Sequence, residues 1–181
     1  MTSLANHEKK LIKKVKKGHD QAFKELYDTY AAYALRTVYA ITRNPNHTSD
    51  IVQETFIKVY RNIHTFHLNK PFKPWFYQIL LNESRRYMKK QNKQATSVES
   101  EQLLDYLNHD SEQTTDFDFL ESALDQLSHM HRTILTLKYI NDFSEKEIAE
   151  LLQLNVNTVK SRLFRAREKI RDLMGGVKRV Q

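Results

Sequence analysis

Between Asn157 and Arg171, side chains able to meet a base edge recur on one side of a helical wheel. At about 100° per residue, Asn157, Ser161, Phe164 and Glu168 share one direction, with Lys160 and Arg171 along one edge and Thr158 and Arg165 along the other. Arg and Lys donate to guanine O6 and N7, Asn pairs with adenine, Ser serves either base, and an outward Phe meets a thymine methyl. The set suits a DNA major groove. An amphipathic helix whose charges only keep it soluble would show the same polar side, so the choice rests on what precedes it.

Two further groups carry chemistry. Phe66, Phe72, Trp75, Phe76 and Tyr77 fall within twelve positions, interleaved with Lys70 and Lys73. Unpaired nucleic acid is held in this way, with aromatic faces stacked on bases and cations along the backbone. Phe76, Ile79, Leu80 and Tyr87 also have the spacing of a helix core, so two or three of the aromatics, with His67 and Asn69, are left for base contact. The third group is Asp50, Gln53, Glu54, Ile57 and Arg61, which cluster opposite the apolar side formed by Ile51, Val52, Thr55, Phe56, Val59 and Ile63. An outward Ile amid acids fits a protein surface better than a phosphate backbone, which carboxylates repel. The competing account is that Asp50 and Glu54 merely complement a helix N-terminus.

Catalytic chemistry finds no such support. There is no phosphate-binding glycine loop, no HExxH and no Cys. His64 with His67, and His129 with His131, are the close histidine pairs, and neither has i, i+4 spacing or a nearby third ligand. No catalytic residue, cofactor or metal is expected.

The elements that must position these groups are helical. Of 181 residues 40% are hydrophobic and 28% charged, while 3 Gly and 3 Pro leave little for tight strand turns. The net charge of +7 is uneven. Lys and Arg outnumber Asp and Glu 18 to 7 over residues 1–93 and 11 to 6 over 132–181, but 94–131 has none against 9 acids. Two basic blocks flanking an acidic stretch favour a polyanion partner. The expected fold is all-α, with two small helical domains, 1–92 and 117–181, joined by a flexible acidic linker, 93–116. One short helical turn is expected around Leu103, Leu104, Tyr106 and Leu107. About 24 linker residues reach roughly 80 Å when extended, against about 70 Å for two turns of duplex. No apolar window approaches a membrane span and residues 1–18 lack the plan of a signal peptide, so no membrane insertion and a cytoplasmic location are expected.

Local signals place the helices. Phe23, Leu26, Tyr27, Tyr30 and Ala34 follow an expected cap at Asp20, and the Ile51 seam follows Ser49. Pro74 falls just inside another helix start. Ser144 and Glu147 form a capping box for a short helix burying Ile148, Leu151 and Leu152. After a short turn, Asn155 caps a second helix whose seam is Val159, Leu163, Ala166, Ile170 and Leu173. Cap, turn and helix order together make a helix-turn-helix, which favours the groove-reading account.

The run LSHMHRTILTLKYINDFSEKEIAELL from Leu127, followed by NTVKSRLFRAREKIR to Arg171, resembles the promoter −35 domain of extracytoplasmic-function RNA polymerase sigma factors. SDIVQETFIKVYRN (Ser49–Asn62) and FHLNKPFKPWFYQILLNESRRYMKKQNK (Phe66–Lys93) resemble the −10 and polymerase-binding domain of the same family. Two departures stand out. Gln153 occupies a turn position usually given to Gly, and Arg86 stands where Asp is common.

The resemblance implies an alternative, non-enzymatic sigma factor for transcription initiation in a stress or envelope response, held by a membrane-anchored anti-sigma factor. Asp50, Gln53, Glu54 and Ile57 would dock on the polymerase beta-prime coiled coil, and the second domain would meet the beta flap. Phe66, His67, Asn69, Lys70, Phe72, Trp75, Tyr77 and Asn82 would take single-stranded −10 DNA. Asn157, Thr158, Lys160, Ser161, Phe164 and Arg165 would take duplex −35 DNA, whereas Arg162 and Arg167, nearer the seam, are assigned to phosphate or packing. A free-standing helix-turn-helix regulator would leave the aromatic loop and acidic face unexplained. An RNA-binding module would leave the helix-turn-helix unexplained.

Overall fold

The computed structural model describes residues 2–91 and 122–177, with side chains over 6–90 and 122–173. The linker expected at 93–116, with its helical turn near Leu103, lies outside them. Among the described residues there is no strand, and two compact units form. Residues 2–38 and 47–91 make the first, while 39–46 group with 122–177 in the second.

The first unit takes in helix α1 (Thr2–Val15), α2 (Asp20–Thr42) as far as Val38, α3 (Pro45–Asn62) from His47 and α4 (Phe72–Gln91), with a 3-10 turn at Ile63–Thr65. Leu11, Ile12 and Val15 anchor α1 in the core. The chain then reverses through Gly18, whose φ of +80° suits a residue without Cβ. Along α2 the buried residues Leu26, Tyr30, Ala34 and Val38 recur every four positions, forming one inward stripe. Asp20 is the first helical residue rather than the cap, since the His19 carbonyl already accepts from Ala22 N–H and Phe23 N–H.

The start of α3 also differs from the expectation at Ser49. Asn44 Oδ1 accepts from Asn46 N–H at 3.1 Å and Pro45 opens the helix, four residues before Ser49. Proline is suited to that position because its missing N–H has no intrahelical partner there. Ile51, Val52, Thr55, Phe56 and Val59 then turn inward as the periodicity predicts. An aromatic network joins the helices. The Tyr30 ring lies 5.3 Å from Phe72 and 4.9 Å from Phe76, and Phe76 lies 5.2 Å from Phe56.

Two polar links tie this core together. Lys58 and Arg86 both pair with the carboxylate of Glu83, which is 7% exposed. Arg86, one of the departures from the family pattern, thus has a partner one turn earlier on α4. The Tyr30 hydroxyl donates to Glu8 Oε1, fastening α1 to α2. Burial, and then the Glu8 carboxylate, raise the Tyr30 phenol far above its ordinary value of 10.0. An unfolded tyrosine therefore loses its proton first, and this contribution to stability is full below about pH 10 and declines as pH rises above it. Tyr30→Phe is expected to flatten the alkaline fall in melting temperature, measured by circular dichroism between about pH 9 and 11.

The second unit packs α5 (His129–Tyr139), α6 (Glu145–Leu152) and α7 (Val156–Val177) around Ile134, Leu137, Phe143, Ile148, Val159 and Leu163. Ser128 caps α5. Arg132 Nη1 donates to the carbonyls of Leu124, Asp125 and Leu127, closing the end of the helical stretch at 122–125.

Candidate nucleic-acid and polymerase interfaces

The helix-turn-helix forms as its sequence signals require. Ser144 Oγ accepts from Glu147 N–H while the Glu147 carboxylate accepts from Ser144 N–H, so both halves of the capping box are present. Asn155 Oδ1 accepts from Asn157 N–H at 2.8 Å and opens α7. Between the two helices Gln153 adopts φ 55°, ψ 46°, the left-handed conformation in which its Cβ crowds the backbone. Its N–H still reaches the Ala149 and Glu150 carbonyls, so the turn keeps its geometry under strain. Gln153→Gly is expected to stabilise the second unit by about 1 kcal/mol, seen as slower amide exchange across α6 and α7.

Along α7, Val159, Leu163 and Ala166 are buried and Ile170 and Leu173 half-buried. Asn157, Lys160, Ser161, Phe164 and Arg165 are exposed and Thr158 half-buried, so all six predicted readers lie on or beside one accessible face. Phe164 is 62% exposed, more than any other large apolar side chain among the described residues. Arg162 is half-buried, as its position near the seam implies. Arg167 is exposed, but its guanidinium sits over the Tyr139 ring at 5.7 Å. His131 on α5 has its pKa lowered, first by burial and then by Arg162, Lys169 and Arg165 on α7, which favours a neutral imidazole behind this cationic helix.

In the first unit the aromatic group divides differently from the expectation. Phe66, Phe72 and Tyr77 are 3%, 1% and 1% exposed, so these three proposed base contacts are core residues instead. Phe66 folds back from the loop to place its ring 5.5 Å from Phe72 and 5.2 Å from Trp75, because an apolar ring gains more from that contact than from water. The inward side of α4 is therefore Phe72, Phe76, Tyr77, Leu80, Leu81 and Ser84. Ile79 and Tyr87, expected in the core, are only half-buried, and Tyr87 instead lies against His47 at 4.7 Å. Left accessible are His67, Asn69, Lys70 and Asn82, with Trp75 half-buried at the edge of the cluster. The His67 carbonyl accepts from Lys70 N–H at 2.9 Å, closing a turn that holds these loop residues outward.

On α3, Asp50, Gln53 and Ile57 are exposed and Glu54 half-buried. Because α3 begins at Pro45, neither acid lies in its first turn. A dipole interaction falls off within that turn, so complementing the helix N-terminus does not explain them. Beside this face lies a groove between α2 and α3 of about 600 Å³, bordered by Phe23, Tyr27, Gln53, Ile57 and Tyr60. Tyr27 and Tyr60 are 42% and 45% exposed. The helical spacing of Phe23 and Tyr27 on α2 does not by itself reveal this groove. The available signal was Tyr60, three residues from Ile57 on the outward side.

The two units are thus an aromatic-cored helical domain with a polar loop, and a helix-turn-helix domain. Residues 26–94 match the family model "Sigma-70 region 2" and residues 120–170 match "Sigma-70, region 4". The chain is 33% identical over 176 residues to the ECF RNA polymerase sigma factor SigW of Bacillus subtilis (strain 168), covering 90% of this chain and 94% of that protein. It is 32% identical over 175 residues to the ECF RNA polymerase sigma-E factor of Haemophilus influenzae, covering 88% and 91%. The fold matches CnrH, solved with the cytosolic domain of CnrY, at a TM-score of 0.71 and 22% identity over 93% of this chain and 97% of that one. It also matches sigma factor RpoE of Bartonella quintana, solved with the anti-sigma factor NepR, at 0.69 and 21% over 84% and 96%. The chain belongs to the extracytoplasmic-function family of RNA polymerase sigma factors. It is a DNA-binding transcription initiation factor rather than an enzyme, and its partners are core RNA polymerase and promoter DNA. Among the described residues no helix is long and apolar enough to cross a membrane.

Proposed function

We propose that the three exposed faces divide the work of promoter recognition. Asp50, Gln53, Glu54 and Ile57, with the groove bordered by Tyr27 and Tyr60, form the seat for the beta-prime coiled coil. Tyrosines around an apolar depression, rimmed by acids, have the composition of a protein interface. His67, Asn69, Lys70, Trp75 and Asn82 take the unpaired −10 strand. Asn157, Thr158, Lys160, Ser161, Phe164 and Arg165 take the −35 duplex, while the second domain meets the beta flap.

The observation that carries this reading is the segregation of chemistry by surface: the α3 face is acidic and apolar, whereas the α7 face is cationic and amide-bearing. Domains at 1–92 and 117–181 with a flexible acidic tether at 93–116 fit the separation of the two promoter elements. The anti-sigma factor NepR, bound to RpoE in the related structure, supports control of this chain by an anti-sigma factor. The family resemblance implies that this factor is membrane-anchored and that the sigma factor itself is in the cytoplasm.

The test is in vitro transcription with core polymerase on a genomic promoter library. Transcripts are expected from templates sharing two short elements about two helical turns apart. Initiation without any shared element would overturn the reading.

A further inference from the structure

Lys16 lies just past the end of α1, upstream of the family-model match that begins at residue 26. Its ammonium donates to two main-chain carbonyls about fifty positions along the chain, Phe66 O at 2.6 Å and His64 O at 3.1 Å. These oxygens sit where α3 and its 3-10 turn end. Carbonyls there lack intrahelical donors, and the helix dipole places partial negative charge, so a cation is favoured.

Both sides of this contact are fixed by burial. Leu11, Ile12 and Val15 hold α1 in the core, and Lys16 N–H still bonds to Ile12 O at 2.9 Å, so the last turn of α1 carries the side chain. On the other side Ile63 and Phe66 are buried, and Phe66 N–H donates to Ile63 O at 3.2 Å. The clamp therefore acts at the junction between a buried ring, Phe66, and the exposed turn from His67 to Lys70. Lys10, Lys13 and Lys14 on α1 and Lys17 in the following turn are exposed.

We propose that Lys16 is a positioning residue for capture of unpaired promoter bases: its ammonium sets the backbone at 64–66 and thereby the presentation of His67, Asn69 and Trp75, without touching DNA. This role rests on the base-capture reading given above. A loop held in its binding conformation does not lose freedom again on binding, which is how such a contact raises affinity and selectivity.

The experiment uses holoenzyme assembled from core polymerase and the full chain. The probe is a single-stranded oligonucleotide carrying the −10 sequence returned by the promoter library, with each base substituted in turn. Lys16→Met is expected to weaken binding on the order of tenfold, as for loss of a charge-assisted hydrogen bond, and to flatten preference at one or more positions with the salt slope unchanged. Lys16→Arg should restore most of the selectivity, and Lys13→Met, an equal loss of charge, should leave it intact. In the Met variant, amide exchange should quicken at Phe66 and Lys70 while α1 to α4 keep their protection.

Unchanged base preference in Lys16→Met would overturn the proposal. So would a uniform loss over all sequences with a salt slope lower by about one, which marks a phosphate contact. Loss of exchange protection throughout the first unit would also overturn it, making Lys16 a residue of general stability. If wild-type holoenzyme binds no such oligonucleotide, the base-capture reading itself falls, and this role with it.

Discussion

Replacing both Asp50 and Glu54 by Lys lowers affinity for core RNA polymerase by about a hundredfold or more, with the helical content of the chain unchanged. Truncating one member of a buried, hydrogen-bonded interfacial charge pair costs about 2–5 kcal/mol, and reversing both acids adds repulsion to that loss. The residues lie one helical turn apart on α3, Asp50 with its side chain 73% exposed and Glu54 half-buried. Among the described residues Asp50 makes a long ion pair, 3.9 Å to His47 Nδ1, so folding gains little from its carboxylate. Because α3 starts at Pro45, both sites lie beyond the turn in which added positive charge would oppose the helix dipole. The measurement is co-purification with core polymerase beside circular dichroism. A folded double variant retained as well as wild type would remove these acids from the interface.

Arg165→Ala relaxes preference at one or two base pairs of the −35 element, whereas Arg167→Ala leaves the preference pattern intact. A lost bidentate base contact costs about 1–3 kcal/mol against the wrong base, and a lost phosphate contact weakens all sequences alike. Arg165 is exposed beside Ser161 and Phe164 on the accessible side of α7. Arg167 is exposed too, but its guanidinium is engaged with the Tyr139 ring, which turns it away from a reading role. Transcription from a library randomised in the −35 element, run for each folded variant, separates the two. Unchanged preference in Arg165→Ala would shift the assignment to Asn157 or Phe164.

The helix-turn-helix was legible in the sequence because its signals are local. The Ser144–Glu147 box, the Asn155 cap and the Val159 seam act within a few residues of one another, where hydrogen-bond geometry and helical period leave few alternatives. The same holds for the outward acids of α3, whose direction follows from its periodicity once the helix exists. The start of that helix was harder, since Ser49 and Pro45 both carry start signals and the Asn44 contact settles the choice.

The aromatic loop shows where local signals stop. Between Thr65 and Phe72 the chain has no helical period to distinguish an inward ring from an outward one, and composition treats Phe66 and His67 as neighbours in function. Packing separates them. The Phe66 ring closes against Phe72 and Trp75, which removes apolar surface from water and leaves His67, Asn69 and Lys70 outside. The groove between α2 and α3 likewise depends on how two helices meet, and Phe23 and Tyr27 have the same spacing whether they fill a core or border a depression. Residue types and short spacings therefore determined the class of this protein and its DNA-reading helix. Contacts between residues far apart in the chain, of which Lys16 with His64 and Phe66 is the longest-reaching at these sites, decided which side chains remain available to a partner. The physical reason is that burial is a property of neighbours in space, and only the folded chain supplies them.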